Sequence, residues 1–106
     1  MIKIPLQAIP NQKVRIVLNG QNVVLSFYYR FGNLYADVIC NDSVVQKGAI
    51  CRNRVNVVQI ANITFDGGLY FLDLLGDNDP EYKLIGQRYI LLYVGADETL
   101  PGGLMS

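Results

Sequence analysis

The chain contains no histidine. That absence removes the commonest general base and the commonest metal ligand together. Its two cysteines, Cys40 and Cys51, are too few for a disulfide scaffold or a four-ligand zinc site. Serine is scarce as well: Ser26, Ser43 and Ser106 have no histidine to pair with, so neither a Ser-His nor a Cys-His nucleophile can form. Carboxylates remain in Asp66, Asp73, Asp77, Asp79 and Glu81, but no spacing among them sets two in one cleft, and they read as solvated loop residues. Asp77, Asp79 and Glu81 have the alternate spacing of a calcium loop. Counting from Asp77, however, the positions that need a glycine and a closing glutamate hold Tyr82 and Arg88. The expectation is a protein that is not an enzyme and carries no metal and no cofactor.

Charge is also thin. Charged residues make up 17% of the chain, and nine basic and nine acidic side chains cancel to zero. Such a chain has little long-range attraction for a phosphate backbone or an anionic membrane, and little self-repulsion to keep it dispersed. No apolar run approaches the ~18 residues of a membrane span. Met1 to Pro5 lacks the basic-then-apolar pattern of a signal peptide, so synthesis in a cytoplasm is expected.

What the chain has in excess is apolar surface: 51% of its residues are hydrophobic. A domain of 106 residues buries roughly two-thirds of the surface its unfolded chain exposes, and its core does not need that many. Large apolar patches are uncommon on soluble monomers, so a partner is expected to cover the surplus.

The hydrophobic period is two along most of the length. Val14, Ile16 and Leu18 alternate with Lys13, Arg15 and Val17, and Asn19-Gly20 follows, a dipeptide suited to the positive φ angles of a tight hairpin. Val23, Leu25, Phe27 and Tyr29 form one face of the next strand. Leu34, Ala36, Val38 and Cys40 form a third, Val44 to Arg52 a fourth, and Val55 to Phe65 a weaker β segment. Leu69 to Leu74 and Arg88 to Val94 complete the set, with Tyr89, Leu91 and Tyr93 on one face of the last strand. The fold class predicted is all-β: an antiparallel meander forming a small barrel or a sandwich, with at most one helical turn near Pro80, N-capped by Asp79.

A turn at Gly32-Asn33 places Phe27 opposite Val38, Tyr29 opposite Ala36 and Leu25 opposite Cys40. A turn at Asp42-Ser43 places Val45 opposite Cys40 and Ala49 opposite Ala36. Every pair is apolar, and a one-residue slip would turn a strand inside out. In this register Cys51 falls opposite Leu34, ~20 Å along the strand from Cys40. A disulfide needs Cα atoms within about 7 Å, so two buried thiols are expected. Residues 1–12, with Pro5, Pro10 and a short apolar strand, and residues 95–106 read as arms around a single β-domain over 13–94.

The face turned away from this core carries Val24, Tyr28, Tyr35 and Ile39 among Ser26, Arg30 and Asp37, more apolar than a free sheet surface. It belongs either to a second layer of the domain's own core or to an interface. Tyr28, Tyr35 and Ile39 are the candidate protein-interface residues, with Arg52 and Arg54 at a strand end. Surface tyrosines and scattered arginines on a small barrel also fit an OB-like binder of single-stranded nucleic acid. The balanced charge argues against that alternative.

The order of local features carries a resemblance. Ile-Pro-Leu-Gln-Ala-Ile-Pro-Asn-Gln (residues 4–12) leads into a strand and an Asn-Gly-Gln turn. Leu34-Tyr35-Ala36-Asp37-Val38 and Val44-Val45-Gln46-Lys47-Gly48 come next. An Asp-Gly-Gly turn then enters Leu-Tyr-Phe, followed by Asp79-Pro80-Glu81-Tyr82, Leu84-Ile85-Gly86 and Leu91-Leu92-Tyr93-Val94. Over residues 3–98 this resembles the small baseplate plug family of contractile-tailed phages, the cyanophage Pam3 type. The resemblance implies a virion structural protein near the centre of the baseplate, beside the hub and spike and below the tail tube, with no catalytic residues; the expected partners are these baseplate proteins and other copies of the chain within the assembly.

Overall fold

Three two-residue turns set the first sheet. Asn19-Gly20 (φ 51° and 76°), Phe31-Gly32 (50° and 79°) and Asn41-Asp42 (50° and 67°) all have both residues in the left-handed region. That geometry matches the right-handed twist of the strands it joins. The computed structural model describes residues 1–58, 65–95 and 98. Its turns connect β2 (Asn11–Leu18), β3 (Gln21–Arg30), β4 (Asn33–Cys40) and β5 (Ser43–Ile50) into an antiparallel meander. A second antiparallel sheet has the order β1 (Ile2–Ile4), β7 (Tyr89–Val94), β6 (Gly68–Asp73). Among the described residues the two sheets form a sandwich and do not close into a barrel.

The second and third turns fall one residue earlier than the sequence suggests. Gly32 takes the second left-handed position, as Gly20 does, and leaves the first to Phe31. Phe27 therefore pairs with Ala36, Leu25 with Val38, Val23 with Cys40 and Tyr29 with Leu34. Each partner moves by two residues, which preserves its face, so the inward set is the expected one. Likewise Cys40 pairs with Ser43 rather than Val45. Two bulges in β5 then restore the expected Ala36–Ala49 pair. One lies at Gly48, whose φ of 66° is a conformation that glycine adopts without strain. Cys51 N–H donates to Leu34 C=O at 2.8 Å, at the far end of β4 from Cys40, and both cysteines are buried thiols.

Inward side chains of both sheets make one core. Leu25, Phe27, Leu34, Ala36 and Val38 meet Ile4, Leu69, Phe71, Leu91 and Tyr93, all buried. Between the sheets, residues 51–58 run beside β6, tied by Asn53 and Asn56. Their side-chain oxygens accept from Asp73 N–H at 2.9 Å and Leu69 N–H at 3.0 Å. Of the β segment expected over 55–65, the described residues make one isolated bridge, Asn56 to Tyr70, and residues 59–64 lie outside the description.

Residues 2–4 of the expected N-terminal arm form β1 against β7, burying Ile4 at 2% exposure. Of the expected C-terminal tail, Gly95 and Glu98 are described, and Gly95 N–H donates to Glu98 Oε1 at 2.8 Å. The other residues of 95–106 lie outside the described set.

The helical turn is a 3-10 turn over Tyr82–Leu84, with Glu81 rather than Asp79 at its N-cap. Asp79 instead accepts from Asn53 N–H at 3.1 Å, which fixes it against the preceding loop. The long β6–β7 connection is organised by Asp73. Its fully buried carboxylate accepts from Arg88 Nε at 2.7 Å and Nη2 at 2.8 Å, and from the backbone N–H groups of Leu75 (2.9 Å) and Asn78 (2.8 Å). The Arg88 hydrogen bonds, with the two backbone donors, hold this carboxyl below the usual carboxylate range against the opposing effect of burial.

Candidate protein interface

Alternation along β3 and β4 sends one set of side chains to the outer face. The pairing places Val24 across from Ile39, Ser26 from Asp37 and Tyr28 from Tyr35. All six are half-buried, and among the described residues no second layer covers this face. β5 extends it with Val44 beside Ile39 and Ile50 beside Tyr35. Val44 is 60% exposed. The result is a largely apolar sheet face open to contact.

Tyr28 and Tyr35 stack, with centroids 5.9 Å apart and planes 19° from parallel. The Arg30 guanidinium lies over the Tyr28 ring, 5.1 Å from its centroid, within cation–π range. Tyr28 O–H donates to Asp37 Oδ1 at 3.0 Å, and the bulged Gly48 N–H donates to the same oxygen at 2.8 Å. Burial, then the Asp37 hydrogen bond and charge, push the Tyr28 hydroxyl up, so it remains a neutral donor. The bulge therefore fixes Asp37, which fixes the Tyr28 ring that Arg30 covers. A shallow hollow of about 230 Å³ lies here, lined by Tyr28, Arg30, Phe31, Tyr35 and Gly48.

Of the sequence candidates, Tyr28, Tyr35 and Ile39 share this face. Arg52 and Arg54 stand elsewhere, against the β6–β7 loop. Arg52 pairs with Asp79 at 3.5 Å, an exposed contact worth little in stability, and the half-buried Arg54 with the exposed Asp77 at 3.9 Å. The sequence reading passed over Arg30, Phe31 and Asp37 as site residues. The signal available for Phe31 was the glycine after it, which matches Gly20 in the first turn.

Among the described residues no group of three or more acidic or cysteine side chains could hold a metal ion. None forms a helix long and apolar enough to cross a membrane.

With this architecture, a family model described as cyanophage baseplate Pam3 plug gp18 matches residues 1–97. The chain belongs to the cyanophage Pam3 baseplate plug family. The match takes in both sheets and every residue of the tyrosine face. The family places the chain among viral structural proteins of the baseplate, at the tail of the virion and in association with other baseplate proteins. A search of the curated proteins found no match.

Proposed function

We propose that this chain is a structural plug component of a contractile phage tail, made in the host cytoplasm and built into the baseplate beside the hub, spike and tail tube proteins with further copies of itself. The observation that carries the reading is the family match over residues 1–97. The sheet face supports it. Stacked tyrosines, Ile39 and Val44 offer a broad apolar area with hydroxyl tips, the composition found at the centre of protein contacts. Zero net charge suits a protein held in an assembly.

In this reading Tyr28, Tyr35 and Ile39 form the main contact with a neighbouring baseplate protein. Arg52 and Arg54 form a second, with the acidic loop they already touch. Leu74 and Leu75, 54% and 77% exposed, supply apolar area there. The role is mechanical closure of the tube end, and no catalytic step is assigned to it.

The test is the composition of purified tails. Quantitative mass spectrometry should find the chain in intact particles at a fixed ratio to the hub protein. Tails that are complete and infectious without it would overturn the reading.

A further inference from the structure

Phe31 is 95% exposed, more than any other large apolar side chain among the described residues. Its backbone also lies in the left-handed region, at φ 50°. Turn chemistry does not call for it. Asparagine fills the same first position in the other two turns, at Asn19 and Asn41, and tolerates that conformation far better than an aromatic residue. An aromatic residue on left-handed backbone, lining one hollow with Tyr28 and Tyr35 of the apolar face, points to a contact outside the chain. Beside it Arg30 has no carboxylate partner among the described residues, and the nearby Asp37 carboxylate is already engaged by Tyr28 and Gly48. The hairpin tip is thus an aromatic knob with an unpaired positive charge.

A complementary feature lies at the other end of β3, beside the Asn19 turn. There an open hollow of about 320 Å³ is lined by Met1, Ile2, Tyr93, Asp66 and Glu98, with Asn19 and Gly95 at its edge. Ile2 is 43% exposed and the Met1 side chain 25%, apolar surface with nothing over it among the described residues. Glu98 holds the Met1 ammonium, while Asp66 accepts a neutral amide hydrogen bond from Asn19 at 2.8 Å and has no cation partner among the described residues. Two carboxylates against one ammonium leave the hollow acidic. It is larger than a benzyl side chain.

We infer that copies of this chain associate head to tail, the Phe31 knob of one seating in the Met1–Ile2–Tyr93 hollow of the next, with its Arg30 against the Asp66 carboxylate. Charge disfavours the symmetric alternative: docking tip to tip brings two guanidiniums together, while the Asp37 carboxylates near them are held in place by Tyr28 and Gly48 of their own chains. Because knob and hollow occupy opposite ends of the same strand, the contact is heterologous. Copies add in one direction and close into a ring if the rotation allows. This rests on the assembly role proposed above and names one contact within it.

The experiment is sedimentation of the purified full chain over a range of concentrations at low salt. Wild-type protein should associate as concentration rises. Phe31→Ser, which removes the knob, and Asp66→Lys, which reverses the charge of the hollow, should each weaken association by roughly thirty-fold or more, the loss seen when a hot-spot contact is removed. Both side chains are exposed, so circular dichroism should match wild type. Mixing the two weakened variants supplies the decisive result. Each pair retains one intact knob and one intact hollow, so mixtures should form a two-copy species and nothing larger. A wild-type chain that stays monomeric, a Phe31→Ser variant that associates normally, or a mixture with no two-copy species would each overturn the proposal. If wild type is monomeric and Phe31→Ser is merely lost from tails, the contact between copies is overturned while the assembly role stands. If the chain is absent from tails, the role itself falls.

Discussion

Phe27 on β3 meets Phe71 on β6 edge to face, with centroids 5.8 Å apart and planes at 82°, and this contact joins the two sheets through the centre of the sandwich. Phe27 is 3% exposed and Phe71 fully buried. Truncating Phe27 to alanine removes apolar contact on both sides and leaves a cavity between two hydrogen-bonded sheets that cannot easily close over it. The expected loss is ~3–5 kcal/mol in urea unfolding, a large part of a stability of ~5–15 kcal/mol. A loss below about 1 kcal/mol would place Phe27 outside the core.

The Asp73 carboxylate predicts an acid dependence. Its folded-state pKa lies below the value of ~3.9 expected in the unfolded chain. Between those two values the unfolded chain binds more protons, so stability rises with pH there. The contribution is complete above about pH 4 and is lost as pH falls toward the folded-state value. Asp73→Asn should be less stable at neutral pH, with Arg88 left half-buried and without its carboxylate, and should respond less to acid. Measured as the urea midpoint from pH 6 down to about pH 2, the two proteins should converge. Parallel curves would remove Asp73 as the source.

Phe31→Asn should stabilise the isolated chain by about 1 kcal/mol, because asparagine enters the left-handed region at lower cost. The gain would be read as a raised melting temperature, accompanied by lost self-association. A lower melting temperature would show that Phe31 supports the fold of its own chain.

Burial pushes the Cys51 thiol up to about 12, so no thiolate is present near neutral pH. In the native protein, iodoacetamide should leave Cys51 unmodified for hours at about pH 8 and label it once urea unfolds the chain. A Cys40→Ser, Cys51→Ser double variant should remain folded, each hydroxyl costing ~1–3 kcal/mol where it lacks a partner. Rapid native labelling of Cys51 would contradict its burial beside Leu34.

Much of the first sheet was legible because burial writes itself into a two-residue period. In β3, Val23, Leu25 and Phe27 are buried while Val24, Ser26 and Tyr28 are half-buried. The turns were less legible. Phe31 is a poor left-handed residue, so the eye moves the turn to Gly32-Asn33, and only the repeated glycine position corrects it. The Gly48 bulge left no signal because its partner, the Asp37 carboxylate, comes from the neighbouring strand. The Asp73–Arg88 pair was hidden by the loop that separates the two residues, and the pairing of β1 with β7 by almost the full chain length. Tyr28, Tyr35 and Ile39 come together by register alone, whereas the sequence sets Arg52 and Arg54 only at a strand end. Their partners, Asp79 and Asp77, lie more than twenty residues on, beyond the reach of local pattern.

The most direct test of the central claim acts on that face. A Tyr28→Lys, Ile39→Asp double variant places two charges where a baseplate neighbour would pack. Because both side chains are half-buried on an outer sheet face, the isolated protein should fold with wild-type circular dichroism and a cooperative melt. Supplied as the sole copy during phage growth, it should be missing from purified baseplates, with tails failing to assemble. A variant that folds and appears in infectious tails at the wild-type ratio would contradict the account.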